Sequence, residues 1–139
     1  MKCHDMLGEA KLFSGVKLVA KCMMILIAGP YRSGTDDDPI RMAANLKRLE
    51  AASWPIFEKG HVPMIGEWVA LPIWTKAGGR SVGDALYEKI LHPTAGRLLQ
   101  HCDAVLRLPG PSKGADNDVE IAHQRGIPVY YAIDDIPPA

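Results

Sequence analysis

The segment Leu108-Pro109-Gly110-Pro111-Ser112-Lys113-Gly114-Ala115 holds the residues of this chain best suited to gripping a small anion. It is rich in glycine and proline and runs into a helical pattern, so unpaired backbone amides and the positive end of the helix dipole favour negative charge there. Ser112 offers a hydroxyl, and Gly114 lets a ligand approach the main chain closely. An exposed turn ahead of an ordinary helix start, with Asn117 and Glu120 as a capping box, has the same composition. A second polar turn, Gly29-Pro30-Tyr31-Arg32-Ser33-Gly34, carries a guanidinium fork matched to phosphate or carboxylate and a phenol able to lie on a base or sugar. Trp68 and Trp74 offer faces for stacking a nucleobase, or for closing over the core or a subunit interface.

Other chemistries lack their residues. The first turn has neither the G-x-x-x-x-G-K-[ST] spacing of a phosphate-binding P-loop nor a G-x-G-x-x-G dinucleotide fingerprint. Cys3, Cys22 and Cys102 are too few and too unevenly spaced for a disulfide framework, and no C-x-x-C or mixed Cys/His spacing suggests zinc. His101 and Cys102 are sequence neighbours, so their side chains diverge and the pair reads as structural. Among 139 residues, sixteen basic and sixteen acidic side chains cancel, which argues against a nucleic-acid polymer or an anionic membrane as partner. The apolar stretch from Leu12 to Ala28 is broken by Lys17 and Lys21 and is too interrupted to span a bilayer. Cysteine usage and the lack of a cleavage-site pattern point to a reducing, cytoplasmic setting. Residues 1–22 read as an extension, or as sequence ahead of an alternative start at Met23-Met24, and 23–139 as one domain.

The elements that must position these residues follow from hydrophobic pattern. Met23–Ala28 is a short apolar run without alternation, which predicts a strand buried on both faces. Asp38-Pro39 supplies an N-cap and first-turn proline for a helix with Met42, Leu46, Leu49 and Ile56 on one stripe, kinked or shortened at Pro55 and stopped at Gly60. His61–Ile65 is expected as a second strand. Gly66 to Gly83 has no settled period and reads as a long loop or lid with a short helical piece. A helix from Asp84 to Cys102, divided at Pro93, precedes a third strand at Asp103–Leu108. A last helix, with Val119 and Ala122 inward, ends near Gly126 and leads to a fourth strand at Ile127–Ile133. This alternation predicts an α/β fold of flavodoxin-like or Rossmann-like type: a doubly wound parallel sheet of four to five strands in three layers, α/β/α. Ligands of such sheets sit beyond the carboxyl ends of the strands where the order reverses, so the turns after strands one and three, with the segment after strand two, should converge.

Between Met24 and Ile133 the chain also resembles the nucleoside 2-deoxyribosyltransferase-like family, which includes deoxynucleoside 5′-monophosphate N-glycosidases. The resemblance lies in the opening strand with Gly29-Pro30, the Gly60-His61 turn, Asp103-Ala104-Val105, and above all Ser112-x-Gly114-x-x-x-Asp118-x-x-x-Ala122 followed by Gly126-x-Pro128-Val129. It implies a flavodoxin-like domain, often a dimer or larger homo-oligomer, acting on a nucleoside or nucleotide without metal or cofactor. A carboxylate on the third loop's helix attacks the anomeric carbon and the glycosyl-enzyme passes to water or a second base. Asp118, six residues after Ser112, takes the nucleophile's position, as aspartate where the family has glutamate. One missing methylene shortens its reach by about 1 Å, a displacement worth roughly 100-fold in rate when the geometry is not repaired. Glu120 stands where characterised members have glycine, and either substitutes or faces solvent. The family's helper carboxylate falls on Ala95, leaving Asp84 or Glu88 as replacements, while Asp103 reads as structural. The expected site is Asp118 as catalytic residue with Gly29, Tyr31, Arg32, Trp68, Ser112 and Gly114 around the substrate. A catalytically silent nucleotide- or nucleotide-sugar-binding module on the same fold is the alternative.

Overall fold

The computed structural model describes residues 21–139, so the expected extension over residues 1–22 lies outside the described residues except for its last two. In chain order the elements are β1 (Met24–Ala28), α1 (Pro39–Ala51), α2 (Ser53–Glu58), β2 (Val62–Met64), α3 (Gly66–Lys76), α4 (Ala85–Leu99), β3 (Ala104–Arg107), α5 (Lys113–Arg125), β4 (Val129–Tyr130) and a 3-10 turn at Ile133–Asp135. The four strands form one parallel sheet in the order β2-β1-β3-β4. This is the expected α/β fold of flavodoxin-like/Rossmann-like kind.

The two faces of the sheet explain why β1 has no polar positions. Successive strand residues point to opposite sides. Ile25 and Ile27 pack with Leu49 of α1 and Ile56 of α2, whereas Leu26 and Ala28 pack with Leu99 of α4 and Ala115 and Ala122 of α5. β3 divides the same way: Ala104 and Leu106 join the first cluster, Val105 the second. Both central strands are therefore buried on both sides, the condition that produces continuous apolar runs in a parallel sheet.

Four expectations need correction. The first long helix ends at Ala51, and a separate α2 follows with Pro55 in its first turn, where the missing N–H has no helical partner to lose. The segment after β2 is not a loop. It forms the eleven-residue α3, whose sequence is apolar on nearly every side, so no 3.6-residue period marks it. Pro93 does not divide α4, nor does Pro72 end α3. Both prolines are exposed, and on an outer helix face a carbonyl without its usual donor can be hydrated. The fourth strand pairs over Val129–Tyr130 alone, against Val105 and Leu106. Among the described residues no helix is long and apolar enough to cross a membrane.

Candidate active site at the switch point of the sheet

Strand order reverses between β1 and β3, because β1 connects outward to β2 while β3 lies on its other side. The turns leaving these two strands touch. A Cβ on Gly110, whose φ is +116°, would stand 2.8 Å from Pro30 Cγ. At the base of the same junction Gly29 leaves only 3.0 Å to Leu49 Cδ2 and 3.2 Å to Leu108 Cβ for a side chain it does not have. The Arg107 guanidinium braces the second turn by donating to the carbonyls of Leu108 and Gly110 and to Asp116 Oδ1 at 2.8 Å. Beyond the junction lies a cavity of about 610 Å³, walled by Gly29, Tyr31 and Arg32 after β1, Gly66 and Glu67 after β2, Tyr87, Glu88 and Ala95 of α4, and Ser112, Gly114 and Asp118 at the start of α5.

The start of α5 is set by Ser112, three residues before the end of the turn-rich stretch read from sequence. Ser112 is the N-cap, accepting from Ala115 N at 3.1 Å, so the Asn117–Glu120 capping box expected as the alternative is not formed; both residues are exposed. Gly126, at φ 71°, closes the other end in the left-handed conformation that suits glycine. This register puts Asp118 in the second turn of α5, on the cavity side. Ser112→Ala is expected to cost about 1 kcal/mol of stability, because a mostly buried cap leaves one first-turn amide without its acceptor, and urea unfolding measures it.

Asp118 is half-buried, and its acidity is strongly altered. Burial raises its pKa from the ordinary carboxylate range to about 7, the charge of Glu67 adds to the rise, and Arg107 opposes it. Glu67 is pushed up as well, chiefly by burial, against the pull of its own backbone N–H. The two phenols beside them respond to the same surroundings. Tyr31 and Tyr87 are raised by burial first and by the Glu67 charge in addition, so both remain neutral hydrogen-bond donors. A cavity whose wall includes two carboxyls of raised pKa, two phenols and a helix N-terminus can hold a polar, uncharged ligand and move a proton within it.

No protein-family model, curated protein or solved structure matches this chain.

Of the residues singled out from sequence, Gly29, Tyr31, Arg32, Ser112, Gly114 and Asp118 share this cavity. Arg32 is there in a different capacity from the one expected. Its guanidinium pairs with Asp37 (2.6 and 3.2 Å) and Glu88 (3.0 Å) and lies 5.5 Å from the centre of the Tyr87 ring, so it ties the β1 turn to α4 and is already neutralised. Trp68 does not line the cavity. Its indole N–H donates to Glu50 of α1 at 2.7 Å, on the outside of α3. Trp74 is also elsewhere, edge-on to the Tyr87 ring and donating to Asp84. Of the proposed helper replacements, Asp84 is the N-cap of α4 and Glu88 is held by Arg32 and His92. Asp103 accepts from Met24 N and Lys21 at the amino end of β3, a structural role as expected. Glu67 and Tyr87 were not among the sequence candidates. Among the described residues no three His, Cys, Asp or Glu side chains are grouped as metal ligands would be.

Proposed function

We propose that this protein cleaves the N-glycosidic bond of a nucleoside, or transfers its sugar, with Asp118 as the nucleophile at the anomeric carbon. The observation that carries the reading is the position of Asp118: a half-buried carboxyl on the wall of a nucleoside-sized cavity, at the point where strand order reverses. One Asp118 oxygen bonds to the anomeric carbon as the bond to the base nitrogen breaks, and the electron pair leaves with the base. Water or a second base then displaces Asp118. Two displacements of modest height replace one of prohibitive height.

Wall charge favours the nucleoside over its 5′-monophosphate. Asp36, Asp37, Glu67, Glu88 and Asp118 face Arg32, Lys113 and His92 around the cavity, and Arg32 and His92 already contact carboxylates. The α5 N-terminus offers a phosphate some compensation, but not enough to offset this excess of carboxylates. Incubation with a panel of deoxynucleosides, ribonucleosides and 5′-monophosphates, with released base separated by chromatography, tests the reading. Base is expected from nucleosides ahead of monophosphates. Tight calorimetric binding with every ligand recovered intact would leave a binding module instead.

A further inference from the structure

Glu67 lies in the first turn of α3, at the carboxyl end of β2, on the wall of the cavity that Asp118 also lines. Among the described residues no Lys, Arg or His forms an ion pair with it. Its charge raises the pKa of Asp118 of α5, of Tyr31 after β1 and of Tyr87 of α4. Two carboxyls on one cavity wall, with no cation ion-paired to Glu67 among the described residues, disfavour double ionisation, so when Asp118 is the carboxylate Glu67 is placed to hold the proton. Asp84 and Glu88 are occupied by a helix cap and by Arg32.

We propose that Glu67 is the general acid that protonates the departing base, so that the helper carboxylate implied at Ala95 is supplied from α3 instead. This rests on the glycosidic reading above. As the Asp118 oxygen bonds to the anomeric carbon, the carbon–nitrogen bond breaks and the freed nitrogen electron pair takes the proton of Glu67. Asp118 becomes a neutral ester and Glu67 a carboxylate, so the single negative charge of the pair moves from α5 to α3. In the second step Glu67 takes a proton from the attacking water as its oxygen bonds to the anomeric carbon. Asp118 leaves as a carboxylate, and free base and free sugar are the products.

A pair of substrates that differ in their need for that proton separates this role from a structural one. An unmodified purine deoxynucleoside needs it, whereas the 7-methyl counterpart releases a base that departs neutral without it. For a pyrimidine-specific enzyme the pair is deoxyuridine and its 5-nitro derivative, whose base is far less basic. In single-turnover assays Glu67→Gln is expected to slow the unmodified substrate about 100-fold or more, while the activated substrate stays within about 3-fold of the unaltered protein. Asp118→Asn is expected to abolish both. Equal slowing of the two substrates by Glu67→Gln, or slowing of neither, overturns the assignment while leaving the glycosidic reading intact. If the unaltered protein releases base from none of them, the glycosidic reading fails and takes this assignment with it.

Discussion

Asparagine in place of Asp118 is expected to slow base release by about 1,000-fold or more and, in the same protein, to raise stability at pH 8. The loss of rate follows from removing the proposed nucleophile while keeping its shape. The gain in stability follows from the cavity. Burial and the neighbouring Glu67 charge raise the pKa of Asp118 from 3.8 to about 7. Between those values the folded protein keeps a proton that the unfolded chain has released, so stability contributed by this group is whole below about pH 4 and gone above about pH 7. Asparagine does not titrate. Its advantage over aspartate should therefore be absent near pH 4 and reach the order of 1–2 kcal/mol at pH 8. Urea unfolding at the two pH values, beside the base-release assay, measures both halves. An inactive variant with no pH-dependent gain would place the 118 side chain in ordinary solvent.

Leu106→Ala is expected to cost about 2–5 kcal/mol, a large share of the stability of a domain this size. Leu106 is fully buried in β3, registered between Ile27 and Tyr130, and packs in the cluster with Ile25 and Leu49. Truncating it opens a void between the sheet and α1 at the strand that carries the turn into α5. Trp54→Ala, at a position 62 % exposed, should change stability far less despite removing more atoms. The urea midpoint, read at unchanged slope, reports the difference. A loss for Leu106→Ala no larger than for Trp54→Ala would contradict the packing described for the central strands.

The parts of the fold legible in sequence are those where one physical effect dominates. β1 and β3 are buried on both faces and so read as unbroken apolar runs. Asp38-Pro39 marks the start of α1 because cap and first-turn proline act together. α3 is masked in the sequence by its composition: apolar residues on nearly every side leave no period, and Pro72 and the Gly78-Gly79 pair imitate a loop. The site follows the same division. Gly29, Tyr31, Ser112 and Gly114 follow from the switch-point rule, because the loops that carry them leave strands with a clear place in the sheet, whereas Asp118 is singled out only by the family resemblance in the Ser112-to-Ala122 spacing. Trp68 was chosen on residue type within a segment of unknown conformation. Once that segment is a helix, residues 67 and 68 point about 100° apart, and the acid rather than the indole faces the cavity. That Arg32 is held by Asp37 and Glu88 depends on a contact between β1's turn and α4 that no local pattern encodes.

A slowed substrate gives the most direct test of the proposed nucleophile. With a 2′-fluoro-2′-deoxynucleoside, whose electronegative substituent retards the second displacement, the fluorinated sugar should accumulate on the protein and be seen as added mass in intact-protein spectrometry. Peptide mapping is expected to locate it on Asp118, with Asp118→Asn unlabelled. Base released without any adduct, or an adduct on another side chain, would contradict the account.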